Sequence, residues 1–309
     1  LTNKTLIIIA GPTASGKTDL AIKLAQQLHT EIISADSRLV YKDFNIGTAK
    51  PDKKEMQGIP HHLIDIVDPT DHYSAALYKT DANTLIDQLH THKKIPIIAG
   101  GTGFYIRSAV DGLNIPEVQP DENYRTKLKN DATLFGNETL HQKLRDIDPL
   151  TAQKLHPNDL FRIIRALEVY KQTGKPISEL QTKNPPRFNI FYAALNTENR
   201  DILYDRINRR VINMIEAGLI EEVKFLINKY GKTLSLLKTL GYKEVVEFLE
   251  EKYSTTEMIE NIQKNTRRFA RRQLIWFRAD QRINWYTIDT QSHEDIITDI
   301  LRKLEQYDR

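Results

Sequence analysis

Residues 11–18 read GPTASGKT, the G-x-x-x-x-G-K-[ST] spacing of a loop that grips phosphate. Gly11 and Gly16 let the backbone turn and come close to an anion. The stretch between them, Pro12, Thr13, Ala14 and Ser15, forms a cradle of peptide groups facing the positive end of the following helix. Lys17 adds a mobile positive charge, and Thr18 adds a hydroxyl suited to Mg2+. A second candidate, Asp36, follows at the end of the next predicted strand. The loop alone leaves open whether the phosphate belongs to a nucleotide that is consumed or to a leaving group. A GTPase would carry N-K-x-D for its base, but Asn228-Lys229 continues into Tyr230-Gly231. Small-molecule kinases share the loop and stay in competition.

Such a loop works only between a strand and a helix, and the flanking pattern supplies both. Residues 6–10 are a β-branched run, and residues 18–28 carry leucines at helical spacing. Further strands are predicted over 31–35, 62–67 and 95–99, with a helix over 75–90. An Asp at the carboxyl end of the strand after the loop lies on the ligand-binding edge of a parallel sheet. The predicted class is therefore α/β, a P-loop NTPase-like parallel sheet flanked by helices. Between about 116 and 186 no strand pattern occurs; helices are predicted over 122–131, 137–146, 150–155 and 160–173, with Gly174 as a stop. This predicts an all-helical insertion, residues 116–189, inside a core made of 1–115 and 190–309. Beyond it, a strand is predicted over 189–195, helices over 200–216, 219–230 and 255–277, and a last strand over 283–288.

The chain of 309 residues is 40% hydrophobic with a net charge of +3, so the total charge points to no partner. Its distribution does. Residues 261–282 hold seven Lys or Arg against one acid, Asp280, which suggests an anionic partner. Absence of cysteine excludes disulfides and thiolate metal sites. His61 and His62 lack a third ligand at metal spacing and are expected to be structural. Residues 6–10 are too short for a signal-peptide core. No apolar run approaches the ~20 residues of a membrane span. A cytoplasmic chain without membrane contact is expected.

Taken in order, GPTASGKT, ADSRLVY (35–41), IGTAKP (46–51), HHLID (61–65), AGGTGFY (99–105), HPND…R…RALEV (156–169), EAGLIEEV (216–223), GYKE (241–244) and TRRFARRQLIWFR (266–278) resemble the bacterial tRNA dimethylallyltransferase family over nearly the whole chain. The resemblance implies transfer of a dimethylallyl group from dimethylallyl diphosphate to the exocyclic N6 of the tRNA adenosine on the 3′ side of the anticodon. It makes the phosphates those of the leaving group, with Mg2+ as cofactor. It implies Asp36 as general base and Thr102 as a holder of the target adenosine.

The same resemblance assigns Ser37, Arg38 and Leu39 to tRNA contact, although many relatives have Gln or Met around positions 38 and 39. Lys50 is a weaker candidate for substrate contact; a solvated loop lysine is the other reading. The insertion is expected to grip the anticodon stem-loop through Arg125, Phe161, Arg162 and Arg165. Where the family has Pro-Gln, this chain has Leu160-Phe161, so a polar base contact is lost or replaced by stacking. Pairing with Glu168 or Asp159 is the other role open to Arg162 and Arg165. Arg267, Arg268, Arg271 and Arg272 are expected to face RNA, with Phe269, Leu274, Ile275, Trp276 and Phe277 on the buried side of their helix. Arg206 and Arg210, four apart on one helix, are placed to reach the diphosphate. A monomer is expected. Two alternatives stay in view: a P-loop kinase of a small metabolite, and an isopentenyltransferase acting on free adenine nucleotides.

Overall fold

The computed structural model describes residues 4–307. In chain order the elements are β1 (Thr5–Ala10), α1 (Lys17–Gln27), β2 (Ile32–Ser34), β3 (His61–His62), α2 (Ala75–Thr91), β4 (Ile97–Gly100) and α3 (Gly103–Val110). The helices α4 (Glu122–Phe135), α5 (Asn137–Ile147), α6 (Pro149–Lys154), α7 (Leu160–Thr173) and α8 (Ile177–Leu180) follow. The chain then returns through β5 (Asn189–Asn196), α9 (Arg200–Glu216), α10 (Leu219–Tyr230), a 3-10 turn at Ser235–Lys238, α11 (Tyr242–Leu249), α12 (Thr255–Arg278), β6 (Asn284–Thr287) and α13 (His293–Tyr307).

By internal contacts the chain divides into two compact units. One runs to Ala109 and resumes at Arg187; the other is Val110–Pro186. In the first unit six parallel strands lie in the order β3-β2-β4-β1-β5-β6. β1 is central, with Ile7 beside Ile97 and Phe191. All six of its residues are buried, which explains why it reads as a continuous apolar run rather than an alternating one. Ile7 and Ile9 pack toward α1 and α13, against Leu20, Leu24, Ile296 and Ile300. A second cluster joins Val40, Tyr41 and Phe44 to Leu219, Val223, Tyr242 and Met258.

The predicted strand over 62–67 shrinks to His61–His62. Beyond it Leu63 and Asp65 take left-handed backbone angles, φ 61° and 57°, which no strand accommodates. The segment instead returns N–H groups to Leu39 and Val40 carbonyls, ending in a lone Tyr41–Val67 bridge.

The second unit is helical, with Leu128, Leu140, Leu144, Ile163 and Leu167 at its centre. Asp121, Asp148 and Asp159 cap α4, α6 and α7 through their side chains. Among the described residues no helix is long and apolar enough to cross a membrane.

Candidate active site

The phosphate loop leaves β1 at Ala10 and enters α1 at Lys17. A side chain at Gly11 would stand 2.8 Å from Ser15 Oγ and 3.1 Å from the Leu195 carbonyl, so only glycine fits. Gly16 caps α1 in the left-handed region, φ 86°, and offers no side-chain acceptor to the first helical turn. The N–H groups of that turn are thus available to an external anion. Ser15 Oγ is buried without a hydrogen-bond partner, an orphan polar atom inside the loop. Thr18 is exposed.

Lys17 Nζ donates to the Pro12 carbonyl at 3.3 Å. Burial, followed by repulsion from Arg210, lowers the Lys17 ammonium to about 8, against the opposing pull of Asp36. Burial likewise lowers Arg210, again opposed by Asp36. Arg210 Nη2 donates to the Thr48 carbonyl at 3.2 Å. Arg206 Nη1 approaches to 3.9 Å of the point where a Gly16 Cβ would sit. The structure therefore brings Lys17, Arg206 and Arg210 together around the loop.

Asp36 stands two residues beyond the end of β2. Its Oδ1 accepts from the Arg38 N–H at 2.9 Å. Thr102 lies in the turn after β4 and is drawn to the same edge: its N–H donates to the Ala35 carbonyl at 3.0 Å, and its Oγ1 accepts from the Ser37 N–H at 3.1 Å. The glycines around Thr102 have a steric reason. A Cβ at Gly100 would stand 2.2 Å from the Ala35 carbonyl oxygen, one at Gly101 2.3 Å from Gln273 Nε2, and one at Gly103 2.1 Å from Trp276 Nε1. α12 thus presses directly on this turn.

Lys50 is neither solvated nor open to a substrate. Its side chain is buried, donates to the Tyr41 carbonyl at 2.7 Å and pairs with Asp65. His62 pairs with Glu31 at 2.6 Å, and His61 bonds the Ile59 carbonyl; no three-residue metal cluster occurs among the described residues.

The arginines of the second unit fall into two kinds. Arg125 clasps Glu168 through Nε and Nη2 at 2.8 and 2.9 Å. Arg165 donates to Glu168 at 2.7 Å and to the Val118 and Pro116 carbonyls. Arg162 pairs with the cap residue Asp159, at 3.4 Å, with its side chain 62% exposed. Phe161 is 83% exposed.

On α12, Arg268, Arg271 and Arg272 are exposed, Arg272 lying over the Phe269 ring. Arg267 is half-buried, donating to Asn208 Oδ1 at 2.6 Å above the Tyr204 ring. The expected apolar side of this helix is corrected. Phe269, Ile275 and Trp276 are exposed; the buried stripe is Met258, Ile262, Thr266, Ala270, Gln273 and Phe277. Small Ala270 is the residue that meets Leu203 and Ile207 of α9. Arg38 is exposed, and Ser37 and Leu39 are half-buried.

Residues 39–280 match the family model of IPP transferase. The chain belongs to the IPP transferase family. It is 50% identical over 299 residues to the tRNA dimethylallyltransferase of Carboxydothermus hydrogenoformans, covering 96% of each chain. It is 45% identical to that of Caldanaerobacter subterraneus, with 97% of each covered. The crystal structure of the full-length tRNA isopentenylpyrophosphate transferase of Bacillus halodurans is similar at TM-score 0.73 and 39% identity, over 98% of both chains. A eukaryotic dimethylallyltransferase acting on tRNA is similar at TM-score 0.78 and 29% identity, covering 97% of this chain and 78% of that one. The sheet and loop of this IPP transferase are those of the P-loop NTPase-like fold.

Three side chains of this IPP transferase escaped the sequence reading. Glu222 accepts three successive N–H groups, from Asn45, Ile46 and Gly47, plus the Tyr242 hydroxyl at 2.7 Å, and so fixes the IGTAKP loop. His293 binds Asp19 through Nδ1 at 2.7 Å and brings Nε2 to 3.3 Å of the Gly16 Cβ position. Gln273 accepts from the Thr13 N–H at 2.9 Å and donates to the Gly101 carbonyl at 3.0 Å. Each partner is distant in sequence, so no spacing pattern reveals it. The glycine in IGTAKP and the doubled glycine in AGGTG were the available signals: a Cβ at Gly47 would stand 2.5 Å from the Tyr242 ring, and one at Gly101 2.3 Å from Gln273 Nε2.

Proposed function

We propose that the chain transfers the dimethylallyl group of dimethylallyl diphosphate to N6 of the tRNA adenosine 3′-adjacent to the anticodon, releasing diphosphate. One arrangement carries the reading: Lys17 and Arg210 stand buried at a phosphate loop, with Arg206 beside it and the Asp36 carboxylate, just past the next strand, attracting Lys17 and Arg210. Such a pocket favours an incoming anion and presents a base beside it.

In the reaction the C–O bond of the allylic carbon breaks and its electron pair stays on the diphosphate oxygen. N6 forms the new C–N bond, and its proton passes to Asp36. The N–H groups of residues 11–18, with Lys17, Arg206 and Arg210, act on the negative charge that grows as the bond breaks. Interactions stronger there than in the ground state lower the barrier, each by about 3 kcal/mol. Thr102 steers the adenosine, its hydroxyl already tied to Ser37.

Magnesium fits the donor set. An exposed Thr18 hydroxyl at the loop, with no carboxylate cage among the described residues, suits a hard cation that takes most of its oxygens from phosphate and water. Bound there, the ion would neutralise charge on the departing diphosphate.

The anticodon stem-loop is held by two basic regions. Arg268, Arg271 and Arg272, with Arg267 beside them, face RNA from α12. In the insertion, Arg162 and Phe161 are exposed for backbone and base contact. Arg125 and Arg165 shape the insertion from inside, since Glu168 occupies both guanidinium groups. Ser37, Arg38 and Leu39 line the approach to Asp36. A tRNA substrate places the work in the cytoplasm.

The test is incubation with unmodified tRNA, dimethylallyl diphosphate and Mg2+. The mass of one adenosine beside the anticodon should rise by one dimethylallyl group without ATP. ATP-dependent labelling of a small molecule would make the chain a kinase instead. Modification of free adenine nucleotides but not tRNA would remove the RNA partner.

A further inference from the structure

A buried primary amide carries one acceptor and a two-hydrogen donor, and burial makes leaving either unused costly. Gln273 is 7% exposed, between Ala270 and Phe277 on the inward stripe of α12. Its Oε1 takes the Thr13 N–H and its Nε2 gives to the Gly101 carbonyl. A peptide N–H can only donate and a carbonyl can only accept, so the amide has one workable orientation. Its partners sit in two different loops. Thr13 belongs to the phosphate loop; Gly101 directly precedes Thr102. A side chain at Gly101 would have to push the amide aside, because Nε2 stands 2.3 Å from where its Cβ would be. Arg271 and Arg272, immediately before Gln273, are exposed on the other side of the same turn.

We propose that Gln273 is a positioning residue that locks the phosphate loop and the Thr102 turn into one register. The proposal rests on the dimethylallyl-transfer reading above. One loop presents the allylic carbon by its diphosphate, and the other presents N6 of the adenosine. Their relative placement sets the distance between the atoms that bond. A displacement of about 1 Å at such a point costs on the order of a hundredfold in rate. The same helix turn bears the RNA-facing arginines, so the element that meets the tRNA also holds both halves of the reaction centre.

The test combines Gln273→Leu, Gln273→Ala and Gly101→Ala, singly and with the last two together. Inorganic pyrophosphate affinity is measured by calorimetry with Mg2+, alongside KM, kcat and the Kd for unmodified tRNA. Loss of the bond to the loop should weaken pyrophosphate binding about tenfold. Turnover of Gln273→Leu should fall about a hundredfold. The tRNA Kd should stay within about twofold, since the exposed arginines that carry the phosphate contacts are unaltered. Gly101→Ala alone should reproduce the defect by pushing the amide away. In the Gln273→Ala background it should add little, because the space is then empty.

A folded Gln273→Leu with wild-type pyrophosphate affinity overturns the proposal. So does a fall in kcat and melting temperature with KM and pyrophosphate affinity unchanged, which marks a purely structural residue. Additive losses in the double variant overturn it as well. If Gln273→Leu does not fold, the two alanine variants decide. If the wild-type protein transfers no dimethylallyl group, the functional reading fails, while the pyrophosphate measurements still judge Gln273.

Discussion

Two sets of partly or wholly buried charge distinguish the regions of this molecule. In the insertion, Arg125 and Arg165 close on Glu168, which is fully buried and also accepts the Asp121 N–H at 2.7 Å. Burial alone would raise the Glu168 carboxyl; hydrogen bonds from Arg125, the Asp121 N–H and Arg165 bring it below the usual range. Around the phosphate loop the arrangement is inverted. Lys17 and Arg210 suffer desolvation and each other, and Arg210 is accepted by a neutral carbonyl of Thr48. A cation whose counter-ion is part of the fold builds structure. A cation attracted by a carboxylate such as Asp36 but not hydrogen-bonded to it builds a site, because further negative charge arrives with the ligand.

The largest expected effects lie on the open side. Asp36→Asn should retain tRNA binding yet lose about 10²–10⁴-fold in turnover, the usual worth of a general base; undiminished turnover would remove that role. Lys17→Met should cost about 10²–10³-fold in kcat/KM, as for loss of one charge-stabilising donor, without lowering the melting temperature of the free protein.

The closed side should answer in stability instead. Glu168→Gln strands two guanidinium groups and should cost about 3–5 kcal/mol by denaturant unfolding. Arg210→Gln should leave stability equal or higher. Equal destabilisation by the two substitutions would break the contrast.

pH sharpens it further. With Lys17 at about 8 in the fold and an ordinary value of 10.5, the unfolded chain binds more protons between these limits. Stability of the free protein should therefore rise with pH across that window, and the gain should vanish as pH falls through about 8. Pyrophosphate affinity should move the opposite way, since it needs the charged ammonium. Lys17→Met should flatten both trends in calorimetry. The smallest effect belongs to an exposed α12 arginine. Arg271→Ala should weaken tRNA binding modestly and shallow the salt slope by about 0.7–0.9, the contribution of one phosphate contact.

Much of this was legible in residue patterns. α9 and α10 fall where glycine and helical spacing predicted, separated by Gly218 at φ 97°. The phosphate loop was readable because its glycines, lysine and threonine fall in one short run between a strand and a helix. β3 was overread because an apolar, β-branched segment looks the same whether or not its backbone stays extended; only the left-handed angles at Leu63 and Asp65 distinguish the cases. α12 misled for another reason. Its long apolar residues suggested burial, but the close approach to α9 and the glycine turn required alanine and an amide, leaving Phe269 and Ile275 outside and Trp276 with its edge against Gly103. Gln273 and Glu222 were invisible because their partners are loop N–H and carbonyl groups far away in sequence.

The place of β1 in the sheet bears on how the protein is made. Its first flank is completed by β4, but its second waits for β5, which begins at Asn189 after the entire helical unit has been translated. On the ribosome, a nascent chain therefore carries a half-finished sheet with a bare apolar edge while the α4–α8 bundle gathers its own centre. Synthesis halted before Asn189 would release a fragment with that edge uncovered, making it a substrate for chaperones or a seed for aggregation.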